Sequence, residues 1–373
     1  MENEQLPSYI LNTFGRTKHP YLVWDGINEI PSEIEYLLEN YLDTNILRDF
    51  VSTVKKFDTI YLIGCGTSYY AATAGTYYFN NLAKIKANAY EAFEFLAYPP
   101  ANLSNDLVIA ISHTGSTASV IDAVNMAIAS GAKVVGVTDV KDSKLAELSD
   151  IAILGMRERE PSLPKTRSYE ATLIKLFILA VLIAESKGTD IADYKNILTD
   201  LPPMLTQIIN NYSLIEDICK KMQNVNNVYI VAAGPNIANA YEGALKFHEC
   251  IQINAEAWEL EEFMHGPWTA MDSNDLIILL ASKGYAFDKT HKFLKAIENI
   301  NPYIWIITNE NDCFQEEENV TIIQGSDEYL NSFLSIIPIY QYIYCYALQN
   351  SINPDVMKLY DKKYLKTRLT LPR

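Results

Sequence analysis

The stretch TIYLIGCGTSYYAATAG, residues 59–75, recurs in the second half of the chain as NVYIVAAGPNIANAYEG, residues 227–243. Each copy is typical of a β-strand, a glycine turn and a helix rich in small residues. Around both copies, short β-rich apolar runs alternate with longer helical patterns, as in parallel sheets covered by helices. We therefore predict an internal repeat of two doubly wound α/β domains.

The pattern predicts five strands in each repeat and short segments around them. The predicted strands are residues 59–63, 87–91, 107–112, 133–138 and 150–155, then 227–232, 252–255, 275–281, 303–308 and 320–324. The predicted organisation is an N-terminal helical extension (1–45), a first domain (46–187), a helical connector (188–225), a second domain (226–350) and a C-terminal tail (351–373).

Composition restricts the class of protein. A net charge of −16 argues against a nucleic-acid partner and against anionic membrane surfaces. The five cysteines lack CxxC spacing, and the first residues lack a basic region followed by an apolar core, so we expect a reduced, cytoplasmic protein. The longest apolar stretch, residues 173–184, contains Lys175 and is too short to span a bilayer, which predicts a buried helix.

Two loops rich in glycine and hydroxyl side chains follow predicted strands of the first repeat. They are GCGTS, residues 64–68, and SHTGST, residues 112–117. Glycines let backbone N–H groups turn toward a ligand, and a helix that starts there adds its positive end. Hydroxyls and amides suit a phosphate monoester without a metal. The alternative is that both are ordinary strand-to-helix turns that need glycine and a hydroxyl cap.

Neither loop fits the nucleotide patterns GxGxxG or GxxxxGK[ST], which argues against a dinucleotide or ATP site. The histidines and cysteines show no spacing of a metal site. We therefore expect neither a metal nor a cofactor.

The second repeat carries a charged helix face. Glu242, Lys246 and Glu249 stand at i, i+4 and i+7 on a helix predicted over residues 237–250. A solvated charged face is the alternative, but the helix follows a strand-end glycine turn, where ligands bind in such sheets. Further on, His265 precedes a Gly-Pro turn, and by itself it would indicate no function.

The segments ALKFHECIQINAEAW (244–258) and EEFMHGP (261–267), with the two upstream loops, resemble a known family. They are similar to the tandem sugar isomerase (SIS) domains of glucosamine-6-phosphate synthase, of aminosugar-phosphate deaminases and of fructosamine-6-phosphate deglycases. The resemblance runs from about residue 45 to the C-terminus and implies two αβα domains with parallel sheets.

The resemblance also implies site residues. The implied sugar-phosphate contacts are Gly66, Thr67, Ser68, Ser112, His113, Thr114, Thr117 and Leu163. The implied catalytic residues are Lys246, Glu249, His265 and Lys366, the last in a tail that closes over the substrate. The chain departs from the synthase at His113, Thr114 and Ser116, where that enzyme has Gln, Ser and Glu, so the contacts to the sugar hydroxyls stay open.

The implied chemistry needs one base that carries a proton between adjacent carbons, and a single carboxylate such as Glu249 suffices. Lys246 could stabilise the developing oxyanion, and His265 could open the sugar ring or protonate the leaving group. A Schiff base on Lys246 or on Lys366 stays open.

The resemblance implies that release of ammonia from glutamine needs an N-terminal cysteine nucleophile. The first cysteine here is Cys65, so we expect no glutaminase activity from this chain. The predicted reaction is aldose-ketose isomerisation of an aminosugar phosphate with ammonia taken up or released. The alternatives are cleavage of a ketosamine phosphate and, as a different class, a non-catalytic sugar-phosphate sensor. The resemblance further implies a homodimer in which His265 reaches the partner's Glu249 site, whereas a turn that folds back within its own subunit is the alternative.

Overall fold

The computed structural model of the protein describes residues 8–42, 44–54, 57–155, 159–310 and 312–371. The described residues form two compact units. The first unit comprises Ile30–Arg159 and Arg167–Met204, and the second comprises the described parts of 1–29, 160–166 and 205–372.

The first unit contains a five-stranded parallel sheet in the order β2-β1-β3-β4-β5. Its strands are β1 (Thr59–Gly64), β2 (Lys86–Glu91), β3 (Leu107–Ile111), β4 (Lys133–Thr138) and β5 (Ile151–Leu154). Because β2 and β3 lie on opposite sides of β1, the strand order reverses between β1 and β3. In open α/β sheets this reversal leaves a crevice at the carboxyl ends of the strands, where ligands bind.

The second unit repeats this arrangement with the order β10-β9-β8-β6-β7, also parallel throughout. Its strands are β6 (Val228–Ala232), β7 (Ala255–Glu259), β8 (Leu276–Ala281), β9 (Tyr303–Thr308) and β10 (Val320–Ile322). The equivalent order confirms the predicted internal repeat of doubly wound α/β domains.

Helices alternate with the strands along the chain. The α-helices are Ser8–Leu11, Leu22–Leu37, Arg48–Val54, Thr67–Tyr77, Ala92–Ala97, Ala118–Ala129, Lys144–Leu148, Arg167–Ser186, Ala192–Asn210, Tyr212–Lys221, Ile237–Lys246, Leu260–Met264, Phe287–Ile297, Glu328–Leu334, Ile336–Gln349 and Lys362–Thr370. The π-helical turns are Leu38–Leu42, Tyr78–Leu82 and Phe247–Ile251. The 3₁₀ turns are Asn12–Gly15, Gly234–Asn236, Pro267–Ala270 and Asp312–Phe314.

The core of each unit lies around its central strands. β3 and β8 are buried at every position and read as continuous apolar runs, as expected of parallel strands covered on both faces. Helix Arg167–Ser186 is buried over most of its length and includes Lys175, so the predicted buried helix is confirmed. No helix in the described part of the chain is long and apolar enough to cross a membrane.

The predicted strand at 252–255 is wrong. Helix Ile237–Lys246 passes into the π-helical turn Phe247–Ile251, Gln252 then takes a left-handed conformation with φ of 58°, and β7 begins only at Ala255. The error has a physical cause, because β7 is an edge strand whose exposed glutamates hide the apolar pattern. The same turn ends the predicted helix over 237–250 at Lys246.

Candidate active site

The first loop of the first unit connects β1 to helix Thr67–Tyr77. Gly66 has a φ of 54°, a conformation that favours glycine, and no side chain caps the helix that begins after it. Thr67 and Ser68 are buried at the start of this helix. The cap position therefore supplies no side-chain acceptor to the start of the helix, and the Ser68 N–H donates to the carbonyl oxygen of Cys65 over 3.2 Å.

The second loop connects β3 to helix Ala118–Ala129. The Ser112 and Thr117 hydroxyl oxygens lie 2.9 Å apart, so Thr117 pairs with Ser112 and does not cap the helix that it precedes. Gly115 has a φ of 60°, and a Cβ there would lie 2.1 Å from Oγ of Ser143, so a larger residue would displace the loop. In the same loop, Thr114 Oγ1 accepts hydrogen bonds from the backbone N–H and the hydroxyl of Ser116.

Two other helices begin at the same edge of the sheet, and both are capped by side chains. Glu91 accepts hydrogen bonds at the start of Ala92–Ala97, and Ser143 accepts one at the start of Lys144–Leu148. The uncapped helices are those that follow β1 and β3, the adjacent strands at the reversal of strand order. Open helix N-termini attract anions through their N–H groups and positive dipole ends. The arrangement can thus bind a phosphate without a metal.

The thiol of Cys65 lies in the first loop, but it is not an activated nucleophile. Burial, together with its hydrogen bond to Glu91, raises the pKa of this thiol to about 12. It therefore stays protonated at neutral pH, whereas a nucleophilic cysteine must be a thiolate.

His113 follows Ser112 and lies beside two buried charges. Its Nδ1 atom is 3.5 Å from Oδ2 of Asp139, whose other oxygen is 2.8 Å from Nζ of Lys175. This buried pair of Asp139 and Lys175 was not predicted from the sequence. The signal was present, because a single lysine within a buried apolar helix must find a counter-ion.

In the second unit, a buried lysine lies between two carboxylates. Nζ of Lys246 is 3.1 Å from Oε1 of Glu242 and 2.6 Å from Oε2 of Glu249. The side chains of Glu242 and Lys246 are 0% and 1% exposed, whereas that of Glu249 is 16% exposed. The alternative of a solvated charged face is therefore wrong, and Glu249 is the member of the group that solvent and ligands can reach.

A tyrosine from another helix contacts the group formed by Glu242, Lys246 and Glu249. Glu242 Oε1 accepts a hydrogen bond of 3.3 Å from the hydroxyl of Tyr340, on helix Ile336–Gln349. Burial by itself lowers the pKa of Lys246, but the carboxylates of Glu242 and Glu249 outweigh it and raise that pKa above its ordinary value. The ammonium thus stays charged beside Glu249.

The remaining predicted residues, His265, Leu163 and Lys366, all lie in the second unit. His265 ends helix Leu260–Met264, and its side chain is 71% exposed, with Nε2 at 3.3 Å from Oε1 of Glu261. Leu163 packs in a small apolar cluster with Ile10 and Leu359. Lys366 lies exposed on helix Lys362–Thr370.

In the second unit, the loop that follows β8 corresponds to the Ser112 loop of the first unit. The carboxylate of Glu328 contacts this loop. The backbone N–H of Tyr285 donates to Oε1 of Glu328 over 2.8 Å. A Cβ at Gly284 would lie 1.8 Å from the same oxygen, so Glu328 lies directly over this loop. In the second repeat a glutamate carboxylate thus accepts a backbone N–H of this loop. Over the part of the chain that the structure describes, no group of His, Cys, Asp or Glu could hold a metal ion.

Comparison with known proteins adds a family and a fold. A family model described as SIS domain matches residues 54–184 and 221–348. A glutamine–fructose-6-phosphate aminotransferase (isomerizing) of Clostridium tetani is 27% identical over 308 residues, which cover 81% of this chain and 51% of that protein. The chain thus spans about half the length of the curated relatives it matches.

Two solved structures share the fold. The C-terminal domain of glucosamine-fructose-6-phosphate aminotransferase from Francisella tularensis has a TM-score of 0.85 at 22% identity, covering 90% of this chain and 98% of that one. A glucosamine-6-phosphate deaminase from Thermotoga maritima has a TM-score of 0.73 at 22% identity, covering 90% and 96%.

Proposed function

The chain belongs to the SIS domain family, and from this premise we propose that it is an enzyme that interconverts the aldose and ketose forms of a phosphorylated aminosugar, with ammonia released or taken up. The observation that carries the proposal is the contact of 2.6 Å between Lys246 and the partly exposed carboxylate of Glu249. A buried ammonium beside a reachable carboxylate supplies a base and a neighbouring positive charge.

The substrate phosphate binds at the two loops of the first unit. Ser68, Ser112 and Thr117 supply hydroxyls there, and the helices that follow supply N–H groups that no side chain caps. Such an anchor binds a part of the substrate that does not react, and its binding energy positions the rest.

Glu249 moves a proton between two adjacent carbon atoms of the sugar. It removes the proton from one carbon, an enediol or enolamine forms, and the same carboxylate returns the proton to the other carbon. The ammonium of Lys246 stabilises the negative charge that develops on the adjacent oxygen.

The raised pKa of Lys246 argues against this residue as the site of a Schiff base. A lysine must lose its proton before its amine attacks a carbonyl, and the two carboxylates favour the charged form. Lys366, which is exposed, stays the candidate if such an intermediate forms.

His265 acts on the ring oxygen or on the leaving amine, and the tail that carries Lys366 closes over the substrate. We further propose a homodimer in which His265 serves the partner's site, and a cytoplasmic location. The high exposure of His265, 71% in the single chain, is compatible with a contact to a second subunit.

The experiment is incubation of the protein with glucosamine 6-phosphate in heavy water, followed by NMR. Water replaces the amine, so the expected products are fructose 6-phosphate and ammonia, with deuterium at the carbon next to the carbonyl. Fructose 6-phosphate with ammonium tests the reverse direction. Consumption of ketosamine 6-phosphates alone would replace the proposal by a deglycase, and binding of all these sugars without turnover would indicate a sensor.

A further inference from the structure

His113, within the loop Ser112–Thr117, has a buried polar atom without a hydrogen-bond partner in the described part of the chain. Its side chain is 11% exposed, and its Nε2 atom is buried without a hydrogen-bond partner among the residues that the structure describes. An unpaired buried polar atom costs free energy, so a native structure that keeps one invites an explanation.

The other side of the imidazole faces a fixed carboxylate. Asp139 follows the last residue of β4, and its backbone N–H donates to the carbonyl oxygen of His113 over 3.1 Å. Its Oδ2 atom is 3.5 Å from Nδ1 of His113, which is ion-pair range and longer than a normal hydrogen bond. The backbone of Asp139 thus holds this residue, and its Oδ2 atom, which also lacks a hydrogen-bond partner among the described residues, faces Nδ1 of His113.

Lys175 in turn holds Asp139. Its side chain is 1% exposed, and its ammonium lies 2.8 Å from Oδ1 of Asp139 and 3.4 Å from the carbonyl oxygen of Thr138. Burial would raise the pKa of Asp139, but Lys175 and His113 outweigh it and hold that pKa well below its ordinary value. The carboxylate is therefore ionised and can accept a hydrogen bond from the Nδ1–H group of His113.

One further pair of charges lies nearby. A Cβ at Gly155 would lie 2.7 Å from Oδ1 of Asp139 and 3.1 Å from Oε1 of Glu33, so these two carboxylates flank the same glycine. Glu33 has its own cation, because its Oε2 atom is 3.7 Å from Nε of Arg167. Each carboxylate of this group thus has a buried cation as its partner.

We propose that Asp139 and Lys175 are positioning residues that direct the Nε2 atom of His113 to the phosphate group of the bound sugar. The proposal rests on the proposed function and adds residues to its phosphate site. Phosphate oxygens accept hydrogen bonds, so Nε2 donates to the phosphate while Nδ1 donates to Asp139. The imidazole then binds as a cation, whose hydrogen bonds are stronger than those of a neutral amide.

Titration calorimetry with fructose 6-phosphate and with inorganic phosphate tests the role of His113. His113→Gln keeps a donor of similar reach but replaces a charged donor by a neutral amide, and we expect about tenfold weaker binding of both ligands. The matched control is His291→Gln, on helix Phe287–Ile297 of the second unit, which should bind both ligands as the wild type does. Wild-type affinity of His113→Gln would overturn the proposal.

NMR of the imidazole nitrogens tests the positioning role. The chain has five histidines, so the signals of His113 are those that His113→Gln removes. Inorganic phosphate should shift the Nε2 signal of His113 in the wild type, and this shift should be lost in Asp139→Asn. A merely structural aspartate would leave the shift unchanged, and that result would overturn the proposal.

Asp139→Asn leaves the ammonium of Lys175 without its carboxylate and could prevent folding. The double variant Asp139→Asn with Lys175→Met removes both charges together, and it should show the same loss of the Nε2 shift. If the wild type binds neither ligand, the proposed phosphate site fails and this inference fails with it. If the wild type binds both and the variants match it, only the inference about His113 fails.

Discussion

The Nζ atom of Lys246 lies 2.6 Å from Oε2 of Glu249, where helix Ile237–Lys246 passes into the π-helical turn Phe247–Ile251. On its other side the same ammonium lies 3.1 Å from Oε1 of Glu242. Two carboxylates therefore share one buried cation, and each member of the group depends on the other two.

We expect Lys246→Met to destabilise the protein strongly. Removal of one partner from a buried ion pair leaves an uncompensated charge and costs about 3–5 kcal/mol. The free energy of unfolding in urea measures this cost. Lys220→Met is the matched control, because Lys220 pairs with Asp217 on the surface and its loss should not be measurable. Equal effects of the two substitutions would contradict the buried network.

Glu249→Gln should abolish deuterium incorporation at the carbon next to the carbonyl, because an amide cannot act as a base. Glutamine keeps the shape of the side chain and can still accept a hydrogen bond from Lys246, so substrate binding should survive. NMR in heavy water measures the exchange, and calorimetry measures the binding. Incorporation at the wild-type rate in Glu249→Gln would remove this residue from the base role.

Ser112→Ala and Thr117→Ala should weaken the binding of phosphorylated sugars more than that of their unphosphorylated counterparts. Each loses a hydroxyl donor to a charged group, which costs about 1.5–3 kcal/mol. Ser130→Ala is the control, since Ser130 is exposed beyond the far end of helix Ala118–Ala129. Equal losses for both members of a matched sugar pair would assign these hydroxyls to the fold or to the sugar ring.

The acid limb of the stability curve should depend on Asp139. Its pKa is lowered in the folded protein, whereas the unfolded chain has about 3.9. Its contribution is therefore fully present above about pH 4 and is lost as the pH falls toward the folded pKa. Urea unfolding between about pH 5 and pH 2 should show a shallower loss for Asp139→Asn/Lys175→Met than for the wild type, and an identical slope would contradict the shift.

Subunit mixing tests the proposed sharing of His265. If His265 serves the partner's site, inactive Glu249→Gln and inactive His265→Ala subunits should form heterodimers with one intact centre. Statistical exchange would then restore about a quarter of wild-type activity. Exchange confirmed by mass spectrometry without any return of activity would place His265 in its own chain's site.

The strand pattern was largely predictable because parallel central strands such as β3 and β8 are apolar throughout. The strand at β7 was mispredicted because an edge strand keeps polar residues and because nothing in the sequence marks a π-helical turn. Lys246 and Glu249 were predicted from helical spacing and resemblance. Their contact depends on the packing that buries Glu242. Helical spacing of charged residues does not show whether they are buried or lie on a solvated face.

Asp139 and Lys175 were beyond sequence reasoning for a related reason. They lie 36 residues apart, and only the fold brings the end of β4 to helix Arg167–Ser186. Lys175 alone indicated that some counter-ion was needed, without indicating which of the acidic residues supplies it.

The π-helical turns Tyr78–Leu82 and Phe247–Ile251 use their third residue differently in the two repeats. In the first copy, the third residue of the turn is Asn80, which hydrogen-bonds the N–H and the carbonyl oxygen of Ala87 in β2. In the second copy the third residue is Glu249, and the N–H of Ala255 in β7 donates instead to His248. Because His248 already anchors the strand, the third position of the second turn carries a carboxylate beside Lys246 without loss of the sheet edge. The same position of the turn thus holds the sheet edge in the first repeat and is released from that task in the second.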